Sequence, residues 1–415
     1  MPAGVGWDDA GVDLTLASWL ASPAGAEARA AARTLWAATP DSLAAGTRLR
    51  RDLPSLDSAQ IAAALGQAEL SALAAQRYGI TGHHLLTREG LEQATRPEVA
   101  RRRARLLADS GITHAVDLTA GLGFDSAALI DAGLTVTCIE RSPEIAVLLA
   151  ANLPDATVIT GDCTDPSVLE PALSALPESS VIFVDPARRT GRRTTDGSRA
   201  QSERDPERWS PPLSFVLALA ARGYRVLVKT TPGFSADALP SGWSGEWVSS
   251  DRTVVECTLA SWRLFGADRR AVGVGREQFE VSNSAQPAHI AEVAAYLYEP
   301  DPAVVNADVI ESLCDGAVMR IDPDSHWLTS KSPITHPALR GFRVDQQVPA
   351  DGRALRPILR ELGIGDLTVK TRGAGIDAEK FRSSLKLSGK KAGVLVILVR
   401  EGRQQAYLVT PLLSE

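Results

Sequence analysis

The pattern of apolar and polar positions along the chain changes twice, and each change predicts a different kind of structure. Residues 14–105 carry Ala- and Leu-rich runs at helical spacing, of which Ala59–Arg77, followed by Gly79, is the clearest. From His114, short and almost continuously apolar runs alternate with helical ones, which is typical of a parallel sheet covered by helices on both faces. From Phe342, a strand-helix-strand-helix-strand-strand order predicts a small α+β domain, with Asp377 as the cap of its second helix and a final hairpin across Glu401-Gly402.

Seven short strands are predicted in the middle of the chain, with three helices between the first five strands and an antiparallel pairing of the last two, Trp247–Ser249 and Thr253–Trp262. Strands this apolar are buried on both faces, so we expect an α/β fold with a Rossmann-like, doubly wound sheet. Two later segments, Ala291–Tyr298 and Asp301–Cys314, are predicted to be helices that bridge to the C-terminal domain. The pattern divides the chain into an N-terminal helical subdomain at 1–107, a sheet domain at 108–266, a linker with bridging helices at 267–339 and a small α+β domain at 340–415.

The formal charge is unevenly distributed along the chain. The whole chain has a net charge of −6, which by itself argues against a nucleic-acid partner. Residues 340–415, however, hold 14 Lys and Arg against 8 Asp and Glu, and five of the seven lysines lie at Lys370 or beyond. This stretch therefore has a net charge of +6, against −12 for the remainder. Such a shift is typical of a separate module with a basic face; a solvated surface without a ligand is the alternative.

Membrane, secretory and metal-binding classes find no support in the sequence. No run reaches the roughly 18–20 apolar residues of a membrane helix, and residues 1–30 lack the basic start and compact apolar core of a secretory signal. The cysteines form no C-x-x-C pair and no metal-ligand pattern: Cys138, Cys163, Cys257 and Cys314. We therefore expect a cytoplasmic protein with neither a membrane nor a metal ion among its partners.

A glycine-rich turn follows the first predicted strand. Gly121 and Gly123 would let a ligand approach the backbone closely and would present free N–H groups, although a tight structural turn has the same pattern. Glu140 ends the next strand, 19 residues after Gly121, where an acid can accept both hydroxyls of a ribose. Asp162 follows the third strand, where its carboxylate can accept a hydrogen bond from the amino group of adenine. Because such strand ends meet at one edge of the sheet, these residues predict a nucleoside-binding crevice.

Two ligand classes compete for this turn. A dinucleotide requires a third glycine, where this chain has Ser126, and Asp117 has no place beside a pyrophosphate but suits a cationic sulfonium ligand with an amino group. The pattern D-x-T-x-G-x-G, then E, then G-D, resembles motifs of class I S-adenosylmethionine-dependent methyltransferases. The alternative is a nicotinamide dehydrogenase. The resemblance implies that S-adenosylmethionine is held by Asp117, Thr119, Gly121, Gly123, Glu140, Asp162 and Cys163.

The fourth strand of the sheet leads into Asp185-Pro186-Ala187-Arg188-Arg189. This position holds the acceptor motif of methyltransferases that act on nucleobase amines or protein amides, where the usual pattern is Asp/Asn-Pro-Pro followed by an aromatic residue. An acidic side chain and a neighbouring carbonyl there can accept hydrogen bonds from the N–H groups of a planar amine and so orient its lone pair. Here Ala187 replaces the second proline and Arg188 the aromatic; an arginine can stack as a plane or hold a phosphate. We expect Asp185, Pro186 and Arg188 to be the catalytic residues.

Carbon methylation is a less favoured alternative for this motif. Asp-Pro-Ala-Arg also resembles the motif of enzymes that methylate carbon 5 of uracil, but those need a thiolate after the fifth strand. Here that strand leads into Lys229-Thr230-Thr231-Pro232-Gly233, which has no cysteine. The polar stretch from Arg188 to Arg208 predicts a mobile lid, whose Arg188, Arg189 and Arg192 could contact the substrate; a solvated loop is the alternative.

Nearly the whole chain resembles one bacterial family, the class I methyltransferases that carry a C-terminal THUMP-like domain and are described as RNA methyltransferases. Beyond the motifs above, the resemblance includes LTREGLEQAT at 86–95, DPARR at 185–189, YLYEPD at 296–301 and VKTRG at 369–373. It implies a THUMP-like domain at 340–415, a base in tRNA or rRNA as the methyl acceptor, and contacts to RNA from Lys370 and Arg372. The alternatives are a catalytically silent protein that binds S-adenosylmethionine and RNA, and a methyltransferase of proteins or small molecules.

Overall fold

A computed structural model describes residues 13–82, 84–174, 176–188, 205–283, 287–371 and 373–412. The chain divides into two units. The first unit extends to Lys229 and includes Ala260–Leu264, and the second comprises Thr230–Leu259 and the chain from Phe265 onward. Each unit contains strands and helices, and each is described by itself below.

Helices precede the first strand of the first unit, as the Ala- and Leu-rich pattern predicts. Asp13, Asp41 and Asp57 begin three of these helices, because their carboxylates accept hydrogen bonds from backbone N–H groups of the first turn. The predicted helix at 59–77 is α4, which continues into a single π-helical turn, Ala74–Tyr78, and ends at Gly79 with φ +66°. The helices are α1 (Leu14–Ala21), α2 (Pro23–Ala38), α3 (Ser42–Asp52), α4 (Ser58–Leu73), α5 (Arg88–Gln93) and α6 (Pro97–Asp109).

These helices share part of their core with the segments that follow. Leu20 of α1 and Leu70 of α4 are buried in one cluster with Leu122 and Leu148, which lie beyond the first strand. The side chain of Asn152 donates to the carbonyls of Leu85 and Leu122 and accepts the Leu85 N–H. The helical region is therefore packed into the first unit. Within the described ranges, no helix is long and apolar enough to cross a membrane.

A parallel sheet forms the rest of the first unit and confirms the predicted α/β class. Its strands are ordered β3-β2-β1-β4-β5, and all four pairings between neighbours are parallel. Parallel strands place all their carboxyl ends at one edge, which is where ligands bind in open α/β sheets. The elements are β1 (His114–Asp117), α7 (Phe124–Asp131), β2 (Thr135–Glu140), α8 (Pro143–Asn152), β3 (Thr157–Thr160), α9 (Pro166–Leu173), β4 (Ser180–Val184), α10 (Leu213–Ala221) and β5 (Val226–Thr230).

The second unit begins with four strands in the order β7-β6-β8-β9. Asp251 and Arg252, both with positive φ, form the two-residue turn of the predicted hairpin between β6 and β7. Strand β8 lies parallel to β6 and antiparallel to β9. The strands are β6 (Ser244–Ser250), β7 (Thr253–Ala260), β8 (Arg269–Val274) and β9 (Phe279–Ser282).

A second sheet of seven strands, ordered β11-β12-β10-β13-β16-β15-β14, completes the second unit. Its last six elements follow the predicted β-α-β-α-β-β order, with Asp377 as the N-cap of α13 and Glu401-Gly402 as the hairpin turn. Leu355, Leu359 and Leu385 of the two helices are buried against the sheet. The elements are β10 (Tyr296–Pro300), α11 (Pro302–Asn306), β11 (Met319–Arg320), β12 (Leu328–Ser330), β13 (Leu339–Val348), α12 (Gly352–Glu361), β14 (Ile364–Lys370), α13 (Ala378–Leu385), β15 (Lys391–Arg400) and β16 (Arg403–Pro411).

The expected bridging helices at 267–339 are mostly absent from the structure, and that prediction was wrong. Tyr296–Pro300 is a strand that pairs with both β12 and β13, and only the short α11 and a 3-10 turn, Ile310–Leu313, are helical between Asp301 and Cys314. Leu297 and Tyr298 are buried by this pairing. Neighbouring strands that lie elsewhere in the sequence thus decided the conformation of a short apolar segment.

Candidate functional site

The glycine-rich turn joins β1 to α7 and requires glycine for two different reasons. Gly121 and Gly123 both have left-handed backbone conformations, with φ of +54° and +87°. A Cβ on Gly123 would lie 2.6 Å from side-chain carbons of Leu149 and Leu153. No described neighbour lies within 4 Å of the corresponding position on Gly121. Gly123 thus serves close packing, whereas the open space at Gly121 fits a ligand that approaches the backbone.

Glu140, the predicted ribose acceptor, lies directly against this turn. Its Oε2 accepts the Gly121 N–H at 2.9 Å, and its Oε1 accepts the Ser142 N–H at 2.8 Å. Two backbone donors thus hold both carboxylate oxygens at the carboxyl end of β2. The carboxylate keeps further lone pairs for ligand hydroxyls, because each of its oxygens can accept more than one hydrogen bond.

Asp162 and Cys163 lie at the carboxyl end of β3, beside that of β2. The Asp162 Oδ1 accepts the N–H and the hydroxyl of Thr164 at 2.8 and 2.7 Å, and these hydrogen bonds lower the pKa of Asp162. Asp162 is exposed, which leaves its carboxylate accessible to an amino group. Cys163 is buried, and burial raises the pKa of its thiol to about 12. The Cys163 thiol is therefore protonated at neutral pH and cannot act as a thiolate nucleophile there.

Asp117 and Thr119 join the start of the glycine-rich turn to neighbouring segments by hydrogen bonds. Burial raises the pKa of Asp117 to about 7, although its carboxylate is near the Thr119 N–H, at 3.1 Å, and the Ser126 hydroxyl, at 2.7 Å. The Thr119 hydroxyl accepts the backbone N–H of Asp185 at 2.7 Å. Because this hydrogen bond joins the cofactor-type turn to the acceptor-type motif, the two motifs that the sequence predicts separately lie at one site.

The acceptor-type motif follows β4 at the same edge of the sheet. The Asp185 Oδ2 lies 2.6 Å from the Lys229 Nζ, and Pro186 is buried. Ala187 exchanges two backbone hydrogen bonds with Ser210, at 2.9 and 3.0 Å, so the chain returns to the motif beyond the polar stretch. Arg188 is half-buried at this position. Arg189 and Arg192, and with them most of the predicted lid, lie outside the described residues.

The structure adds four residues that the sequence did not indicate as part of the site. The Lys229 Nζ also contacts the Thr95 hydroxyl at 2.6 Å and the Asp125 Oδ2 at 3.4 Å. Burial alone would raise the pKa of Asp125, but the Arg103 guanidinium at 2.7 Å and Lys229 together hold it below its ordinary value. One signal was available, because Lys229 is the first lysine of the chain and lies within an otherwise apolar strand.

The predicted RNA contacts of the C-terminal domain lie in the second unit. The Lys370 Nζ is 2.6 Å from the Glu299 Oε2 and 5.5 Å from the centroid of the Phe342 ring, and the side chains of both ion-pair partners are mostly buried. A carboxylate thus already neutralises the ammonium group of Lys370. Arg372 lies outside the described residues. Other basic side chains of this domain are exposed, namely Lys380, Arg382, Lys386, Lys390 and Lys391.

The first-unit site can hold a nucleoside and orient a hydrogen-bond donor. Asp117 and Glu140 end two neighbouring strands, Asp162 follows a third, and a glycine turn with an open face lies at the same edge. Asp185 offers a carboxylate at the same edge. The described part of the chain contains no group of three or more His, Cys, Asp or Glu side chains suited to a metal ion.

Sequence comparisons relate the chain to known methyltransferases. It is 30% identical over 319 residues, 75% of this chain and 84% of the relative, to an uncharacterized S-adenosylmethionine-dependent methyltransferase of Mycobacterium tuberculosis. A shorter stretch of 87 residues is 41% identical to ribosomal RNA small subunit methyltransferase J of Rhodopseudomonas palustris, covering 18% of this chain and 36% of that protein. Residues 339–411 match the family described as THUMP domain-like.

A solved structure has the same fold over most of the chain. It is the crystal structure assigned to a methyltransferase of Porphyromonas gingivalis W83, with a TM-score of 0.66 and 21% sequence identity. The similarity covers 86% of this chain and 92% of that one. At this identity the likeness concerns the fold, and it extends over both units.

Proposed function

This chain belongs to the family of S-adenosylmethionine-dependent methyltransferases, and we propose that it methylates a base in tRNA or rRNA. The observation that carries the proposal is the hydrogen bond from the Asp185 N–H to the Thr119 hydroxyl, which places the acceptor-type motif beside the glycine turn. The THUMP domain-like match, the basic charge of the C-terminal domain and the relative that acts on ribosomal RNA support RNA as the substrate. Such a substrate also favours the cytoplasm as the place of action.

The geometry of the turn supports an assignment of the cofactor-binding residues. S-adenosylmethionine, when bound, supplies an electrophilic methyl group on a sulfonium ion. We assign Glu140 to the ribose hydroxyls and Asp162 to the adenine amino group, because their carboxylates accept hydrogen bonds at neighbouring strand ends. Gly121 offers the open backbone surface that such a ligand needs. Burial raises the pKa of Asp117 by opposing ionisation of its carboxyl group. A positive charge nearby would favour the ionised form, so Asp117 suits a cationic ligand.

Asp185 and Pro186 would orient the methyl acceptor. Lys229 pairs with the Asp185 Oδ2, and an acceptor N–H can donate to Oδ1 and to the Pro186 carbonyl. This fixes the plane of the amine and directs its lone pair along the line of attack. The acceptor nitrogen forms the new bond to the methyl carbon, the electron pair of the broken carbon–sulfur bond stays on sulfur, and the surplus proton on nitrogen passes to the carboxylate or to water. Arg188, together with Arg189 and Arg192, would hold the base or its phosphate.

The test is methyl transfer to RNA from cells that lack this protein. Wild-type protein with labelled S-adenosylmethionine should methylate total RNA from the deletion strain, and mass spectrometry of nucleosides should show one methylated nucleoside that the strain has lost. Asp185→Ala should lower kcat at least about 100-fold, since it removes a group that orients the acceptor. Asp131→Ala is the matched control, because Asp131 is an exposed acid on the neighbouring helix α7.

Three other results would each contradict a part of the proposal. Binding of S-adenosylmethionine without transfer to RNA or to protein would indicate a silent RNA-binding protein. Label in protein or small molecules with none in RNA would indicate one of those acceptors. Full transfer by Asp185→Ala would show that the assigned acceptor chemistry is wrong.

A further inference from the structure

A row of alternating charges runs through the first unit and ends at the acceptor-type motif. The Arg103 Nη1 lies 2.7 Å from the Asp125 Oδ1, the Asp125 Oδ2 lies 3.4 Å from the Lys229 Nζ, and that ammonium lies 2.6 Å from the Asp185 Oδ2. The side chains of Arg103, Asp125 and Lys229 are 7%, 13% and 7% exposed, whereas that of Asp185 is 27% exposed. The row is therefore buried at one end and accessible to a substrate at the other.

Further contacts fix the position of the Lys229 ammonium from the buried side. Thr95 accepts a hydrogen bond from Lys229 at 2.6 Å and donates one to Asp125 at 2.7 Å. The Arg103 guanidinium lies 5.1 Å from the centroid of the Phe183 ring on β4. Elements α6, α7, β4 and β5 and the segment before α6 all contribute to this cluster. Lys229 thus has a fixed place in the unit before any substrate binds.

Burying a charged lysine costs free energy, because its ammonium group loses its hydration. Partners of opposite charge must compensate that loss. Asp125 is already engaged by Arg103, so Asp185 is the second carboxylate that Lys229 needs. The pairing occupies one oxygen of Asp185 and sets the plane of its carboxylate. The Asp185 side chain is 27% exposed, so an acceptor N–H can approach its carboxylate.

We propose that Lys229 is a positioning residue for methyl transfer: it orients and neutralises Asp185, and Asp125, Arg103 and Thr95 in turn hold Lys229. This role rests on the proposed function, because Asp185 needs an orientation only if it orients an acceptor. The Gly121 and Ser142 N–H groups hold Glu140, whereas Lys229 contacts Asp185, so we assign Lys229 to the acceptor side of the site.

The decisive experiment compares Lys229→Met, Asp185→Asn and the double variant in the RNA transfer assay. Lys229→Met should lower kcat at least about 100-fold and change the Kd for S-adenosylmethionine less than about threefold. Asn keeps an oxygen that accepts an N–H but needs no charge partner, so the double variant should recover at least about tenfold over Lys229→Met. If the lysine were merely structural, the loss and the recovery of kcat would follow a loss and a recovery of Tm and of affinity for S-adenosylmethionine. Lys331→Met is the control, because Lys331 is exposed.

A gentler variant covers the case in which Lys229→Met does not fold. Thr95→Val keeps every charge and removes the hydroxyl that joins Lys229 to Asp125; it should lower kcat about three- to tenfold with an unchanged KM for RNA. Wild-type kcat in Lys229→Met, or in Thr95→Val if the methionine variant is unfolded, would overturn the inference. So would a double variant no more active than Lys229→Met. Wild-type protein that methylates no RNA would overturn the proposed function instead, and with it this role.

Discussion

Glu140 and Gly121 are joined by a hydrogen bond of 2.9 Å from the glycine N–H to the carboxylate, so the end of β2 and the turn after β1 hold each other in place. The Ser142 N–H engages the other oxygen at 2.8 Å. A carboxylate restrained at both oxygens is preorganised for a diol ligand, because little side-chain freedom is left to lose on binding.

Removal of this carboxylate should weaken cofactor binding. Glu140→Ala should raise the Kd for S-adenosylmethionine about 10- to 100-fold, since hydrogen bonds to charged groups contribute about 1.5–3 kcal/mol. Isothermal titration measures the change. Glu178→Ala, at an exposed acid before β4, should bind like the wild type. An unchanged Kd in Glu140→Ala would show that the ribose does not lie at this strand end.

The two glycines of the turn should respond differently to alanine. Gly121→Ala introduces backbone strain of about 1–2 kcal/mol without a contact, because no described atom is near the new methyl group. Gly123→Ala adds a clash with Leu149 and Leu153, at a further cost of about 1–3 kcal/mol. Thermal unfolding should therefore show a clearly lower Tm for Gly123→Ala. We expect Gly121→Ala to bind S-adenosylmethionine more weakly and to have a Tm closer to that of the wild type. Equal Tm values for the two alanine variants would contradict the packing role of Gly123.

The stability of the first unit should carry a pH-dependent contribution from Asp117. Burial raises its pKa from 3.8 to about 7, so between these values the folded protein holds a proton that the unfolded chain has released. Stability from this group is complete below pH about 4 and falls as the pH rises to about 7, by up to about 4 kcal/mol. The Tm of Asp117→Asn relative to the wild type should therefore rise over this range. A difference in Tm that is constant with pH would contradict a raised pKa.

Exposed lysines of the C-terminal domain should carry the electrostatic attraction to RNA. Neutralising Lys386, Lys390 and Lys391 together with glutamine should weaken RNA binding and reduce the slope of log K against log salt by about two to three, since each phosphate contact contributes about 0.7–0.9. Lys370→Met should instead lower the Tm, because it leaves Glu299 buried without its 2.6 Å partner. Fluorescence anisotropy at several salt concentrations measures the slopes, and an unchanged slope in the triple variant would exclude this surface.

Truncation is a poor substitute for these point variants. Strand β13, at the start of the C-terminal domain, pairs with β10 from Tyr296 to Pro300. Deletion of residues from 340 onward would remove a partner of β10 and expose Leu297, which is fully buried. Loss of RNA binding on truncation would therefore report unfolding as readily as a lost contact.

Much of the fold was predictable because its signals are local. Near-continuous apolar runs predicted the five parallel strands, and Asp377 and the Glu401-Gly402 turn predicted elements of the C-terminal domain that the structure confirms. The segment at 296–300 was not predictable in this way. Its apolar residues suit a helix or a strand, and pairing with β12 and β13 decided between them.

The sequence by itself determined where the strands, the glycine turn and the basic module lie, because apolar periodicity, turn chemistry and charge can be read within short windows. Only the tertiary structure decided which side chains Lys229 contacts. Its partners lie 44 residues away at Asp185, 104 at Asp125 and 134 at Thr95. Ion pairing depends on distance in space and on desolvation, and neither is encoded in the spacing of charges along a chain.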